Sequence, residues 1–436
     1  MRDSMKYKLL LLLLSGISLS LPAQETYPLS VSELFRLGLE NSLRLKASRI
    51  EELMAEERVQ GAQAAVFPDI QIGASAGYIG QPTIFKRGLS QPTHPDVPDW
   101  SHNYNAELTQ RLYDGGKIRY RMRAASLEKQ IAMLNSMDNE AGIKMILLQQ
   151  YLDLFSLYKQ KEVLSRNIEE STRRLKDIRQ MKKEGLVTLN DEIRGELQLT
   201  NYELASREAL DNITIVSQQL DIVLGLKETL LLEPDTLLLS ASIPLRPYEE
   251  YILLAYENYP GLKIAESYTQ LAQNDMLISK SDYLPKLSFR AANTLSRPLS
   301  STMEDVFSNN WNVGLGLSYN LSSLYQSRHK VREARQNITL RQNTEEQVKQ
   351  DIRVRVKSAY IKHSEALDRV RALILSVQQA NENYRIVQNR YMNQLSTMTD
   401  LLDASSIRLE AELQLTNART DIIYTYYELM RTCGNL

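Results

Sequence analysis

Apolar residues follow two different periods along this chain, and the two periods separate strands from helices. In four segments, at about 69–80, 101–114, 286–297 and 309–321, apolar residues tend to occupy every second position. A period of two predicts β-strands with one apolar and one polar face. The apolar positions are Ile70, Ile72, Ala74, Ala76, Tyr78, Tyr104, Ala106, Leu108, Leu287, Phe289, Ala291, Trp311, Val313, Leu315, Leu317 and Tyr319.

Other apolar residues follow the spacing of a coiled coil. From 370 to 391 they recur in alternating steps of three and four, and the segments 164–178 and 409–430 have the same spacing. No proline occurs in residues 99–233 or 299–436. A proline-free heptad seam predicts long helices, and the charged residues on the other faces predict broad contact with water.

The sequence contains two copies of one structural unit. Residues of the first copy recur 217 positions later up to about residue 70, and 209 positions later from about residue 100 onwards. A constant offset over such a length is the signature of an internal duplication. The matched pairs include Asn41 with Asn258, Pro68 with Pro285, Tyr151 with Tyr360, Leu186 with Leu395, Asp191 with Asp400, and Gly225 with Gly434.

The first repeat, residues 24–229, and the second, residues 248–436, have the same order of parts. In each, a helix ends at a proline, two strands follow, and a long helical hairpin completes the repeat. The hairpins are predicted to turn near 185–190 and 394–399, and residues 230–247 link the repeats. Extra residues between the strands of the first repeat are rich in proline and predict an exposed loop.

Composition excludes several classes of function. Residues 1–23 have the basic start, leucine run and small final residue of a secretory signal peptide. Beyond them no run of 18 apolar residues predicts a membrane-spanning helix. A net charge of −1 gives no case for nucleic acid as a partner, and the lone Cys433 excludes an intramolecular disulfide.

The sequence gives no support for an enzyme, a metal site or a cofactor. The four histidines are scattered without the spacing of metal ligands. Glycine-rich phosphate loops and nucleophile elbows are absent. His363 lies on a charged helical stretch, and we expect it at the solvated surface.

Four amphipathic strands are too few to close a barrel. An open sheet would leave unpaired strand edges, which are aggregation-prone in water and untenable in lipid. The apolar and polar alternation, the aromatic residues and the strand lengths are typical of an outer-membrane barrel. Closure therefore requires several copies, and four strands from each of three copies would make 12. Edge closure by itself leaves the number of copies open.

The order of parts in each repeat resembles that of the outer membrane efflux proteins of the TolC type. The resemblance is carried by the duplication, by QRLYDGG at Gln110 to Gly116, and by STMTDLLDASS at the second turn. It implies a homotrimer in the outer membrane of a Gram-negative bacterium, with a 12-stranded barrel in lipid and an α-helical barrel projecting into the periplasm. The family docks onto a periplasmic adaptor (membrane fusion protein) and an inner-membrane pump, and exports drugs, other small molecules or proteins.

The same resemblance assigns roles to residues at the two turns. Asp400 and Asp403 match paired aspartates at the periplasmic aperture, although two acids at a helix start are also typical of simple capping. Tyr391 and Asp191 match a latch between neighbouring coils, although Tyr391 also falls on the heptad seam. The chain departs from the family at Gln394 and Ser396, where a glycine and an arginine are often found.

Two further interpretations complete the sequence picture. Leu186 and Leu395 lie at the tips, and exposed apolar groups there predict contact with the adaptor. The alternative to an export channel is a periplasmic coiled-coil scaffold or adaptor without a pore. That alternative explains the heptads but gives the four strands no role.

Overall fold

The computed structural model describes residues 25–235, 245–298 and 304–436. The predicted signal peptide and the middle of the inter-repeat linker lie outside these ranges. The chain divides into two compact units. One comprises residues up to 47 with 137–259 and 351–436, and the other comprises 48–136 and 260–350. Both units draw on both repeats, so the units do not coincide with the duplication.

Each repeat opens with two short helices. The eight described helices are α1 (Val31–Asn41), α2 (Leu43–Ala64), α3 (Lys117–Lys183), α4 (Leu189–Leu224), α5 (Tyr248–Asn258), α6 (Pro260–Ser281), α7 (Ser323–Met392) and α8 (Met398–Thr432). The sequence predicts one helix where the structure has α1 with α2, and one where it has α5 with α6. The break between α1 and α2 and the break between α5 and α6 fall at equivalent positions of the two repeats, but different residues cause them. The Ser42 side chain accepts from the Leu45 amide, whereas Pro260 begins α6 and keeps Tyr259 extended.

The strands are β1 (Thr26–Leu29), β2 (Asp69–Tyr78), β3 (Ile84–Arg87), β4 (Ser90–Thr93), β5 (Trp100–Tyr113), β6 (Leu231–Pro234), β7 (Lys286–Arg297) and β8 (Ser308–Ser318). Four of them form an antiparallel sheet in the order β2-β5-β7-β8. Strands β3 and β4 form a separate exposed hairpin within the proline-rich segment. We predicted only a loop there, because Pro92 and the glycine turn interrupt any alternating pattern.

The register of the sheet gathers the alternating apolar residues on one face. Ile72 pairs with Ala106, Leu108 with Ala291, and Ala291 with Val313. Residues directly opposite each other in antiparallel strands point to the same side. The other face carries polar and small residues, including Glu107 and Arg290, whose side chains form an ion pair at 2.7 Å.

A short parallel pair, β1 with β6, joins the start of the first repeat to the linker. Tyr151 of α3 is fully buried beside it. Its hydroxyl donates to the Leu29 carbonyl at 2.9 Å and accepts from the Asp235 amide at 2.8 Å. Burial raises the pKa of Tyr151 to about 12, so the hydroxyl stays protonated and can donate at any ordinary pH. The apolar core around this pair contains Leu29, Leu34, Leu147, Leu148, Leu154, Leu220, Leu224 and Leu232.

The long helices α3 and α7 follow the predicted heptad seam. Every seam position from 370 to 391 is buried or half-buried. In α8 the buried positions nearest the turn are Met398, Leu401, Ala404, Ser405 and Arg408, whereas the predicted Leu409 is half-buried. The shift arises because this part of α8 also packs against α3 and α4, which turns its buried face.

His363 corrects the expectation of a solvated surface residue. Its side chain is fully buried between α7 and α8, with Nδ1 3.0 Å from the Thr425 hydroxyl. The ring lies beside that of Tyr426, with centroids 5.9 Å apart. Desolvation lowers the pKa of His363, so the neutral imidazole is favoured.

A left-handed glycine follows the last helix of each repeat. Gly225 and Gly434 have φ of 71° and 73°. A methyl group on Gly434 would lie 2.5 Å from the Asn258 carbonyl carbon, because α5 ends against this turn. In the first repeat, Asn41 donates from Nδ2 to the Leu224 carbonyl at 2.7 Å. Cys433, next to Gly434, is fully buried with Sγ 3.5 Å from the Tyr251 carbonyl oxygen.

Two glycine substitutions separate backbone strain from steric contact. Gly185→Ala places a residue at φ 76° in open space and costs only the left-handed penalty, about 1 kcal/mol. Gly434→Ala adds a clash with backbone atoms, so we expect a clearly larger fall in the Tm of the purified protein. Equal Tm values for the two variants would contradict close packing between α5 and the end of α8.

Candidate functional site at the two helical turns

The two hairpins end in turns of the same backbone construction. After α3, the Leu186 amide donates to the Met181 carbonyl at 2.9 Å, and Gly185 has φ of 76°. After α7, the Leu395 amide donates to the Arg390 carbonyl at 2.8 Å. Both are Schellman turns, which need a left-handed residue at the position after the helix. The second turn places Gln394 there, at φ 62°.

The helices that leave the turns begin with identical capping boxes. Thr188 and Asp191 cap α4, and Thr397 and Asp400 cap α8. In each box the threonine hydroxyl accepts from the aspartate amide, and the aspartate carboxylate accepts from the threonine amide. The second pair of bonds measures 2.8 Å in α4 and 2.9 Å in α8. Each box stabilises a helix start by satisfying amides that have no intrahelical partner.

Asp400 is more densely hydrogen-bonded than Asp191. Its Oδ2 accepts from the Thr397 hydroxyl at 2.8 Å, as that of Asp191 does from the Thr188 hydroxyl at 2.7 Å, and accepts an additional bond from the Ser396 hydroxyl at 3.1 Å. The Thr397 amide and hydroxyl, with a smaller contribution from Ser396, lower the pKa of Asp400. Asp403 is exposed one turn farther along α8 and lies outside the capping box. The structure therefore shows Asp400 as a capping residue that remains ionised.

Tyr391 is buried immediately before the second turn. It packs with Ile178, Met398 and Leu401, and only 4% of its surface is exposed. Its hydroxyl has no hydrogen-bond partner among the described residues. Desolvation raises the pKa of Tyr391, and the nearby charge of Asp191 adds to the increase. The two residues predicted as a latch are thus neighbours, without a direct hydrogen bond between them in this structure.

The leucines at the two tips are exposed. A hydrogen bond also joins the helices that follow the two turns. Leu186 is 47% exposed and Leu395 is 68% exposed. The Arg194 guanidinium donates to the Thr399 hydroxyl at 2.5 Å and links α4 to α8. The arginine that the family often has at the Ser396 position is absent, and Arg390 donates instead to the Leu395 carbonyl at 3.2 Å.

Sequence reasoning missed a buried cationic cluster deeper in the hairpins. Arg174 of α3 and Arg408 of α8 both pack against Tyr384 of α7, and all three are buried. Tyr384 lies on the predicted seam, but the two arginines have the appearance of solvated surface positions. The sequence feature that could have indicated burial is that Arg174 directly precedes Leu175, a predicted seam position of α3.

The described residues offer no alternative chemistry at the turns. Among them, no group of three or more His, Cys, Asp or Glu residues is arranged to hold a metal ion. Within the same ranges, no helix is both long enough and apolar enough to cross a membrane.

Gln394 gives a direct test of the turn geometry. Gln394→Gly should relieve a left-handed penalty of about 1–2 kcal/mol, partly offset by the greater freedom of glycine in the unfolded chain. We expect slower amide hydrogen exchange in peptides covering residues 390–400. The reciprocal Gly185→Gln is the matched control and should speed exchange around 181–189. Faster exchange in Gln394→Gly would contradict the assigned turn.

Comparison with known proteins agrees with this architecture. The sequence model of the family described as "Outer membrane efflux protein" matches residues 252–435, which is nearly the whole second repeat. Outer membrane protein TolC of Escherichia coli (strain K12) is 22% identical over 98% of this chain and 87% of its own length.

Two solved structures have the same fold. The outer-membrane channel OprN superposes with a TM-score of 0.76 at 16% identity, covering 93% of this chain and 90% of its own. The outer membrane protein VceC of Vibrio cholerae gives 0.75 at 16% identity, with 93% and 96% covered. The fold, the family match and the full-length relative agree on an outer-membrane protein with a channel role in export. The second repeat of this chain matches the outer membrane efflux protein family, and the whole chain is similar to proteins of that kind.

Proposed function

We propose that three copies of this chain form a passive export tunnel, with a 12-stranded barrel in the outer membrane and helical hairpins reaching into the periplasm. In this proposal the tunnel receives drugs, other small molecules or secreted proteins from a periplasmic adaptor and an inner-membrane pump. The observation that carries it is the four-stranded sheet, which combines an exposed apolar face with two open edges.

The exposed face supports a position in lipid. Ile72 is 85% exposed, and Trp311 and Leu317 are similarly open. Exposing so continuous an apolar surface to water is unfavourable, because each buried Å² of apolar area contributes about 25 cal/mol. A lipid bilayer covers such a face, and the aromatic residues Tyr78 and Trp100, which pair at one end of the sheet, resemble part of an interfacial girdle. A periplasmic scaffold would leave this face in water.

The open edges support assembly from several copies. Strand β2 is at one edge of the sheet and β8 is at the other. In lipid their unpaired amide and carbonyl groups have no water to bind, so pairing between the β8 of one copy and the β2 of the next stabilises both. Three copies give a barrel wide enough for a pore rather than a filled core.

The turns are the proposed gate. Asp400 and Asp403 of three copies would place six carboxylates around the periplasmic mouth. Two such charges about 7 Å apart repel by roughly 0.6 kcal/mol in water, and by more where water is excluded. The ring would favour cations and oppose tight closure. Because Asp400 also caps α8, the two residues contribute differently: Asp403 contributes charge alone.

Two other features of the turns support a closed periplasmic mouth and contact with an adaptor. Tyr391 has a buried hydroxyl free to donate, and Asp191 lies nearby, so a small displacement of the coils would complete the latch. Leu186 and Leu395 present apolar groups at the tips, where an adaptor with apolar contacts of its own would cover them.

The membrane position of the sheet can be tested on a single strand. Ile72→Lys introduces a charge on the proposed lipid face and should cost about 2–4 kcal/mol near the middle of the bilayer. We expect a marked loss of heat-resistant oligomer from outer-membrane fractions. Gln71→Lys, on the opposite face of the same strand, is the matched control and should assemble normally. Equal assembly of both variants would favour the scaffold interpretation.

The acidic ring can be tested by ion selectivity in planar bilayers. Asp403→Asn should lower the preference for cations while leaving the capping box intact. Asp400→Asn should lower cation preference as well and also speed hydrogen exchange at the start of α8. Glu410→Gln, an exposed position about two turns farther from the mouth, is the control. Selectivity unchanged in Asp403→Asn would exclude the ring.

A further inference from the structure

A stack of two guanidinium groups on one tyrosine joins the two hairpins of the chain. Tyr384 belongs to α7, Arg174 to α3 and Arg408 to α8. The Arg174 Nη2 donates to the Tyr384 hydroxyl at 2.5 Å. The Arg408 guanidinium carbon lies 4.0 Å from the centre of the same ring, within the range of a cation–π contact. A single phenol side chain thus receives one arginine at its oxygen and another at its ring.

The stack is anchored by α3 on its far side. Arg408 donates from Nη2 to the Glu170 carboxylate at 2.5 Å and to Asn167 Oδ1 at 3.0 Å. Glu170 remains partly exposed, whereas both arginines are buried. The Nε groups of Arg174 and Arg408 have no hydrogen-bond partner among the described residues. Arg408 thus has a carboxylate partner, whereas Arg174 donates to a neutral phenol, and burying two positive charges in this way is costly for stability alone.

The stack occurs once per chain despite the duplication. Applying the offset of 209, the positions equivalent to Arg174, Tyr384 and Arg408 are Asn383, Leu175 and Leu199. None of these supplies a cation or a phenol, so the reverse arrangement cannot form. The contact joins one residue of the first repeat to two residues of the second. A buried polar contact that costs stability and occurs at one position only is typical of contacts that fix the register between packed helices.

We propose that Tyr384, clamped between Arg174 and Arg408, is the pin that holds the second hairpin against the first when the mouth is closed. This inference rests on the proposed gate and adds positioning residues to it, about two turns above the tip residue Tyr391. Opening moves α7 past α3 and withdraws the Tyr384 hydroxyl from Arg174.

Another buried polar contact between the hairpins is neutral. Tyr202 of α4 shares a hydrogen bond of 3.2 Å with the buried Ser405 of α8. This neutral pair can re-form with water when the helices separate. The charged stack gains more from a water-free environment, since low dielectric strengthens charge-assisted hydrogen bonds. Tyr202 therefore provides a matched control, in which the same hydroxyl deletion removes a neutral contact between the hairpins.

The test is single-channel recording of the purified full-length protein. Tyr384→Phe removes the bond to Arg174 and keeps the ring under Arg408. We expect about a tenfold rise in the ratio of open to closed time, as for loss of one charge-assisted hydrogen bond. Arg174→Gln should produce a similar rise, and the double variant should match either single variant. Arg174→Lys, which keeps a charged donor, should restore part of the closed time. Tyr202→Phe should leave the ratio near that of the natural chain.

The outcomes separate the pin from the channel itself. A natural chain that never conducts would refute the proposed tunnel. A natural chain that conducts, with equal ratios in Tyr384→Phe and Tyr202→Phe, would refute the pin alone. Additive effects in the double variant would also refute it, because independent effects mean the two residues do not act through one bond. Failure of Tyr384→Phe to assemble would likewise count against the pin, since phenylalanine preserves the packing and the cation–π contact.

Discussion

Within the described sheet, one row of backbone amides and carbonyls on β2 and another on β8 have no neighbouring strand. Water can satisfy such groups, but lipid cannot, and the apolar face of the same sheet requires lipid. The sheet can satisfy both requirements only by pairing with copies of itself. In the proposed assembly, joining the strands of several copies in a ring would also bring together the long helices that follow them in the chain. A tube of helices would then result from strand closure.

Strand alternation and the heptad seam could be predicted from sequence because each depends on side-chain spacing within one element. The register confirms the alternation residue by residue, with Ile72, Ala106 and Val313 on a single face. Buried charge was not predictable in this way. Arg174 and Arg408 are buried where α3, α7 and α8 meet. Tyr384 comes from a segment more than 200 positions away from Arg174, and no local pattern encodes that contact. His363 was misjudged for the same reason, since its partner Thr425 lies on another helix.

The duplication explains why the two turns share a backbone and differ in chemistry. Both use a Schellman turn followed by a capping box of Thr and Asp. The hydrogen bonds of these two motifs constrain only four or five positions of each turn, and the other side chains differ between the repeats. The second turn accepted glutamine in a left-handed conformation and gained a second acid, Asp403, where the first repeat has Arg194. The proposed gate would therefore consist of two hairpins with the same turn backbone and different side chains.

The buried end of α8 also bears on redox chemistry. Secreted chains meet oxidising conditions in which an exposed thiol is captured by another thiol or an oxidant. Burial raises the pKa of Cys433 to about 11, which keeps the sulfur protonated and poorly nucleophilic at neutral pH. The same packing that makes Gly434 intolerant of a methyl group therefore also protects the only thiol of the chain. Three copies with one accessible cysteine each would risk covalent cross-linking during assembly, and this helix end removes that hazard without giving up the residue.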